Sequence, residues 1–225
     1  MYEFLTGPGL WLAFIVSAAG MLARIVWYIY GLNWQLDRVA YTRHPLAGLK
    51  GALRSILHWL IPFGARNWRL RPLFTVTFFL FHLGLILVPL FLEGHAVLLE
   101  QGWGIAWPTI PMWMADALTL IALATGLAIL VRRFALPEVR ILTTGSDVLI
   151  LILAIAPFLT GFLAVQQAPG YQFWLLAHIA TGEILLISIP FTRLSHMIMF
   201  FLTRAQIGMD FGIKRGGMKG RGIAW

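Results

Sequence analysis

The sequence has no cysteine among its 225 residues. That excludes disulfides, iron–sulfur ligation by this chain and covalent haem attachment through C-x-x-C-H. A redox cofactor held here is bound non-covalently, by histidine, methionine or a similar ligand. Charge is scarce too. Only 12% of the residues are charged, against about 25% in soluble domains. Asp and Glu together number nine. No repeat of 20–50 residues is visible.

What is present is apolar. Hydrophobic residues make up 60% of the chain and aromatics 14%, with ten Trp; the mean hydropathy is +0.82. This composition predicts an all-α integral membrane protein of one domain. Aromatics in this number suit interfacial belts and large flat cofactors inside a helical bundle. The net charge of +8 would suit nucleic acid, but the positive charges follow membrane topology, and no nucleic-acid role is expected.

Five spans are predicted, at 10–31, 72–99, 112–131, 146–165 and 172–201. Glu3 is the only charged side chain before the first. A cleavable signal peptide needs a basic start and a short apolar core, so the first span reads as a retained helix with Arg24 inside it. Between the first two spans runs a basic connector. Within it, Pro45 to Phe63 has helical periodicity, with Leu46, Leu49, Leu53, Ile56, Leu57 and Leu60 on a face opposite Lys50 and Arg54. That predicts an amphipathic helix on the membrane surface. Ser146 and Asp147 suit the start of the fourth span. The segment 202–225 is basic and glycine-rich, and is expected to be disordered until a partner orders it.

Orientation follows from Lys and Arg. Fifteen of the 17 lie in the connector after the first span, the connector after the third and the tail. The other two, Arg24 and Arg193, lie within spans. The positive-inside rule then places the N-terminus outside and the C-terminus in the cytoplasm. The expected location is the inner (cytoplasmic) membrane.

Ionisable residues inside spans are costly and mark function. The fifth predicted span carries His178, Glu183, Arg193 and His196. From 178 to 196 is 18 residues, five whole turns, which on a straight helix puts both rings on one face roughly 27 Å apart. The hydrocarbon core is about 30 Å thick, so one ring lies near each surface. The second span runs the other way, with His82 on the inner side and His95 on the outer. Depth therefore pairs His82 with His196 and His95 with His178. A bis-histidine haem takes one ring from each of two helices. Arg193 and Arg24 are candidates for the inner propionates. The 13 residues between His82 and His95 make about 3.6 turns, which turns the rings to nearly opposite faces of a straight helix. A kink at Pro89 or a π-bulge would correct the phase. His44 and His58 read as surface residues.

Glu93, Glu100, Asp116 and Glu183 are the acidic candidates. Oxidising a quinol releases two protons, so a carboxylate near the outer pair would be useful. Glu93 and Gly94 directly precede His95, and a glycine there would let a flat ring approach the backbone. Plain solvation at the outer rim is the competing reading for Glu93 and Glu100.

Five spans, an outside N-terminus, two histidines on the second and fifth helices and a basic tail together resemble a known family. It is the cytochrome b (gamma) subunit of respiratory nitrate reductase, with its relatives in the transmembrane redox complexes of sulfate reducers. LFHLGL around His82, the Gly94–His95 pair and the 18-residue separation of His178 and His196 carry the likeness. The resemblance implies two b haems, one on His82 and His196, the other on His95 and His178. It also implies a menaquinone-type site near the outer haem. The implied partner is a cytoplasmic iron–sulfur subunit, which in the sulfate-reducer relatives resembles the catalytic subunit of heterodisulfide reductase. Other membrane subunits and an outer multihaem cytochrome c are further implied partners. The high-molecular-weight cytochrome complex, the type II cytochrome c3 complex and the sulfite-reduction complex all fit the likeness. The wider His82–His95 gap departs from the nitrate-reductase pattern.

The function expected is electron transfer across the membrane, between quinone or an outer multihaem cytochrome and the iron–sulfur partner. The only bond chemistry expected is quinol oxidation or quinone reduction. Two other readings stand beside it: a haem wire without a quinone site, and a haem-free proton- or ion-conducting subunit in which Glu183, Arg24 and the histidines form a relay. A purely structural anchor would leave the buried charges unexplained.

Overall fold

In lipid a backbone must satisfy its own hydrogen bonds, so long apolar runs fold as helices. The computed structural model describes residues 1–32 and 44–214, the last four as backbone alone. Every regular element among the described residues is helical. A short turn at Tyr2–Phe4 and a π-helical turn at Leu5–Gly9 lead into α1 (Leu10–Gly31). Then come α2 (Pro45–Leu60), α3 (Arg66–Leu70), α4 (Pro72–Phe91), α5 (Glu93–Trp103), α6 (Met112–Ala135) and α7 (Pro137–Arg140). After these follow α8 (Gly145–Val165), α9 (Tyr171–Ser188), a 3-10 turn at Arg193–Ser195 and α10 (His196–Lys214). Four runs are long and apolar enough to cross a membrane: Tyr2–Gly31, α4, α6 and α8. The pair α9 and α10, separated by a short break, makes a fifth if counted as one span.

The chain divides into two compact units. The first holds Met1–Phe14 and Val76–Ile187. Its core is built where α4, α6 and α8 meet. Val88, Leu118, Ala122 and Phe158 form one buried cluster, and Phe81, Leu151 and Ala154 a second. The alanines let neighbouring helices approach closely, and Phe81 and Phe158 fill the remaining volume. At the start of α1, Trp11 and Phe14 pack with Trp103 of α5, the two Trp centroids being 5.2 Å apart. The start of α8 is held by a capping box. The Thr144 N–H donates to Asp147 Oδ2 at 2.9 Å and the Thr144 hydroxyl to the same oxygen at 2.7 Å. This satisfies groups a helix start otherwise leaves open.

The second unit holds Ile15–Thr75 and the chain from Ser188 onward. Its most extensive helix pair is α2 with α10. Gly48, Ala52 and Ser55 form the buried face of α2. A Cβ at Gly208 of α10 would meet the Gly51 carbonyl and lie 2.7 Å from Ser55 Cβ. The two backbones approach that closely because the facing side chains are small. The Arg204 guanidinium lies 4.1 Å from the Trp59 ring centroid, a cation–π contact. Tyr28 of α1 donates its hydroxyl proton to the Gln206 side-chain carbonyl. The predicted amphipathic helix is present as α2. Its leucines 46, 49, 53, 57 and 60 are all exposed.

Three expectations are corrected. The second apolar run is not one helix to residue 99. It stops at Phe91, Leu92 takes an extended conformation (φ −69°, ψ 132°), and α5 starts afresh at Glu93. Pro89 lies in the last turn of α4, where its missing N–H removes a ladder bond. The fifth run is not continuous over 172–201 either. It ends at Ser188, and α10 starts at His196. Pro190 sits in the break, and its ring would clash with the carbonyl four residues earlier in an unbroken helix. The five-turn arithmetic that set His178 and His196 on one straight face therefore does not apply. Finally, the helix begun at His196 continues to Lys214, so the first part of the basic tail is ordered against α2. Arg38, Arg43 and the tail residues Arg215, Lys219 and Arg221 lie outside the described residues.

Candidate metal centre

The break at Leu92 builds the centre. A helix leaves its last four carbonyls without intrahelical donors. At the end of α4 the Leu92 N–H donates to the Val88 carbonyl and the Ile110 N–H to the Phe91 carbonyl. The Pro89 carbonyl takes its proton from His95 Nδ1, at 3.0 Å. The same break that ends the span thus supplies the acceptor that orients the histidine after it. His178 of α9 is oriented from another helix, its Nδ1 donating to the Pro157 carbonyl of α8 at 2.8 Å.

The two rings so fixed are close neighbours with parallel planes. Their centroids are 5.9 Å apart and their planes differ by 4°. That is wide for direct ring stacking. It is near the roughly 6 Å expected between the centroids of two imidazoles that share a metal through bonds of about 2.0–2.1 Å. With Nδ1 donating to a carbonyl, which only accepts, each neutral ring keeps its lone pair on Nε2. This is the usual arrangement of a metal-bound histidine. Lying beyond the end of α4, His95 has a pKa below the ordinary imidazole value, chiefly through burial, with His178 adding to the shift and the Pro89 hydrogen bond opposing it. The neutral, ligating form is favoured.

Two donors are too few for a closed four-ligand protein site. Among the described residues no group of three or more His, Cys, Asp or Glu is placed to hold a metal ion. The pair therefore suits a metal that brings its own equatorial ligands. A haem is such a group, and this donor set fits it.

The other candidates are placed as follows. His82, in the first unit, donates from Nδ1 to the Phe78 carbonyl at 2.9 Å. Its ring centroid is 4.1 Å from that of Phe78. His196, in the second unit, is the first residue of α10 and donates from Nδ1 to the Arg193 carbonyl at 2.8 Å. Arg24 Nη1 donates to Ser195 Oγ at 2.6 Å, so Arg24 is fastened to the residue beside His196. Ser195 is buried, and it had no role in the sequence reading. All four candidate ligands share the Nδ1–carbonyl bond. His58 makes one too, to Arg54, so that bond alone does not mark a ligand. The close parallel setting of His95 and His178 is what sets that pair apart from the others.

Glu93 and Gly94 are exposed at the start of α5, and nothing lies within 4 Å of where a Gly94 side chain would begin. The backbone beside His95 is open to a flat ring. Glu100 is exposed on the same helix. Asp116 accepts a long hydrogen bond from Gln166 Nε2, 3.4 Å. Glu183 is buried against Gly9, whose Cβ would lie 3.1 and 3.2 Å from the two carboxylate oxygens. Its Oε1 has no hydrogen-bond partner among the described residues.

The apolar helices of spanning length and the histidines set among them define a multi-pass helical membrane protein. The chain is 56% identical over 226 residues, along the whole of both chains, to a protein of Nitratidesulfovibrio vulgaris strain Hildenborough. It belongs to the same family as that protein. No family model matches the chain, and no solved structure does.

Proposed function

We propose that the chain is a di-haem b-type membrane cytochrome subunit. It passes electrons between quinone, or an outer multihaem cytochrome c, and a cytoplasmic iron–sulfur subunit. The carrying observation is the parallel setting of His95 and His178, each with Nδ1 fixed on a backbone carbonyl. When bound, the haems supply one-electron redox chemistry at two depths of the bilayer. His95 and His178 would hold the outer haem; His82 and His196 are assigned to the inner one by depth in the sequence and the resemblance alone. Arg24 and Arg193 sit by His196 in sequence or by hydrogen bond and neutralise inner propionates. In this reading there are five spans, with the N-terminus outside and α9 and α10 counted as one broken span in the cytoplasmic membrane. The basic stretch around α2 is the docking region for the iron–sulfur partner.

Quinol oxidation yields two electrons and two protons. Glu93, two residues before His95 and exposed, would accept a proton from a menaquinol hydroxyl bound there. The open backbone at Gly94 leaves room for the quinol ring. Glu183 favours a second reading. A buried carboxylate with an unpartnered oxygen is a natural proton carrier, which fits a haem-free proton relay. One experiment separates the two. Purified protein should give a b-type reduced-minus-oxidised spectrum with two extractable haems per chain. Its His196→Ala variant should keep one. Absence of haem from the unmodified protein would move the relay to first place.

A further inference from the structure

We infer that Gly161 is a positioning residue: its lack of a side chain lets the His178 ring lie parallel to the His95 ring, and this sets the electronic character of the iron they hold. The inference rests on the reading of both histidines as axial haem ligands.

Gly161 and Pro157 are four residues apart on α8, so they lie on one face of the helix. That face meets His178. The Pro157 carbonyl accepts from Nδ1 at 2.8 Å. A Cβ at residue 161 would fall 2.7 Å from Nδ1, 2.8 Å from Cε1 and 3.4 Å from Cγ. These are atoms of a stiff ring close to its backbone, not the end of a flexible chain. The ring could make room only by turning or withdrawing, and either would strain its hydrogen bond to Pro157. One position on α8 thus supplies the acceptor and another supplies the space. On the opposite side, His95 is fixed by the Pro89 carbonyl at 3.0 Å. The 4° between the ring planes is the joint result.

The angle has a spectroscopic consequence. Each axial imidazole interacts through its π system with the iron d orbital perpendicular to the ring plane. Parallel rings act on the same orbital and split the dπ pair. Crossed rings act on both alike and leave the pair nearly degenerate. A parallel pair therefore gives a rhombic low-spin ferric signal with three resolved g values. A crossed pair gives a single very large g value.

The test uses full-length protein purified with its native haem complement, with and without Gly161→Ala. Both forms are also made with His196→Ala, which leaves only the His95–His178 haem to be read. Low-temperature electron paramagnetic resonance of the oxidised protein is expected to give a rhombic signal for that haem with Gly161 in place. Gly161→Ala should convert it to the large-g type, or release that haem while the inner haem stays bound. Haem retained in Gly161→Ala with an unchanged signal would overturn the inference and leave the proposed function standing. If Gly161→Ala loses both haems, the signal with Gly161 in place decides: rhombic supports the parallel setting, large-g overturns it. No b haem in the unmodified chain would remove the proposed function and this inference with it.

Discussion

The two units treat their candidate histidines differently. The first brings His95 and His178 together as parallel rings, each held by a carbonyl of a proline residue. The second carries His196 at the start of a helix, turned back on the Arg193 carbonyl and flanked by the Arg24–Ser195 bond. The first arrangement sets two candidate ligands close together with parallel rings. The second shows a ligand candidate with a cation beside it. Both depend on a helix break near proline: Leu92 after Pro89, and the turn around Pro190. At the first break the Pro89 carbonyl is left for His95 Nδ1; at the second, the Arg193 carbonyl accepts both the His196 N–H and its Nδ1–H.

The largest effect expected from breaking this contrast is at His178. His178→Ala should lower the haem count from two per chain to one, read by extraction and absorption, with the inner haem's spectrum unchanged. Loss of neither haem would place the outer ligand elsewhere. A smaller effect is expected in the second unit, where Gly208 lies against Gly51 and Ser55. Gly208→Leu should force α2 and α10 apart and cost about 1–3 kcal/mol, the usual range for overpacking. Thermal unfolding in detergent would register it. An unchanged midpoint would mean the pair does not pack at this point. The smallest effect is expected at the capping box of α8. Thr144→Ala should cost about 1 kcal/mol and leave the haem spectrum untouched, since the cap lies at the far end of α8 from Pro157.

Much of the helical layout was legible. The first span was read as 10–31, and α1 is Leu10–Gly31. The fourth was read as 146–165, and α8 is Gly145–Val165. The amphipathic stretch from Pro45 became α2. These limits are set by apolar runs and by Pro and Thr at helix starts, which act locally. The breaks were less legible. Leu92 is an ordinary helix former, and nothing in its identity marks the extended conformation it adopts. Pro190 lies inside the apolar run, and the run reads as one span because the apolar residues continue on both sides of the proline. The ordered start of the tail was hidden for another reason: the helix 196–214 is stabilised by packing against small residues of α2, distant in sequence.

The candidate site was legible as a set of residues but not as a geometry. His95 was placed with His178 by depth alone, while the 13-residue spacing from His82 argued for opposite faces. The break at Leu92 removes that conflict, because His82 and His95 are not on one helix. Gly161 was invisible for a plainer reason: a glycine in a transmembrane run becomes informative only when the ring packed against it is known.

The most direct test of the central claim is a reduced-minus-oxidised absorption spectrum of purified protein, with haem extracted and counted per chain. The account predicts b-type bands and two haems. A protein that is folded, inserted in the membrane and free of haem would contradict it.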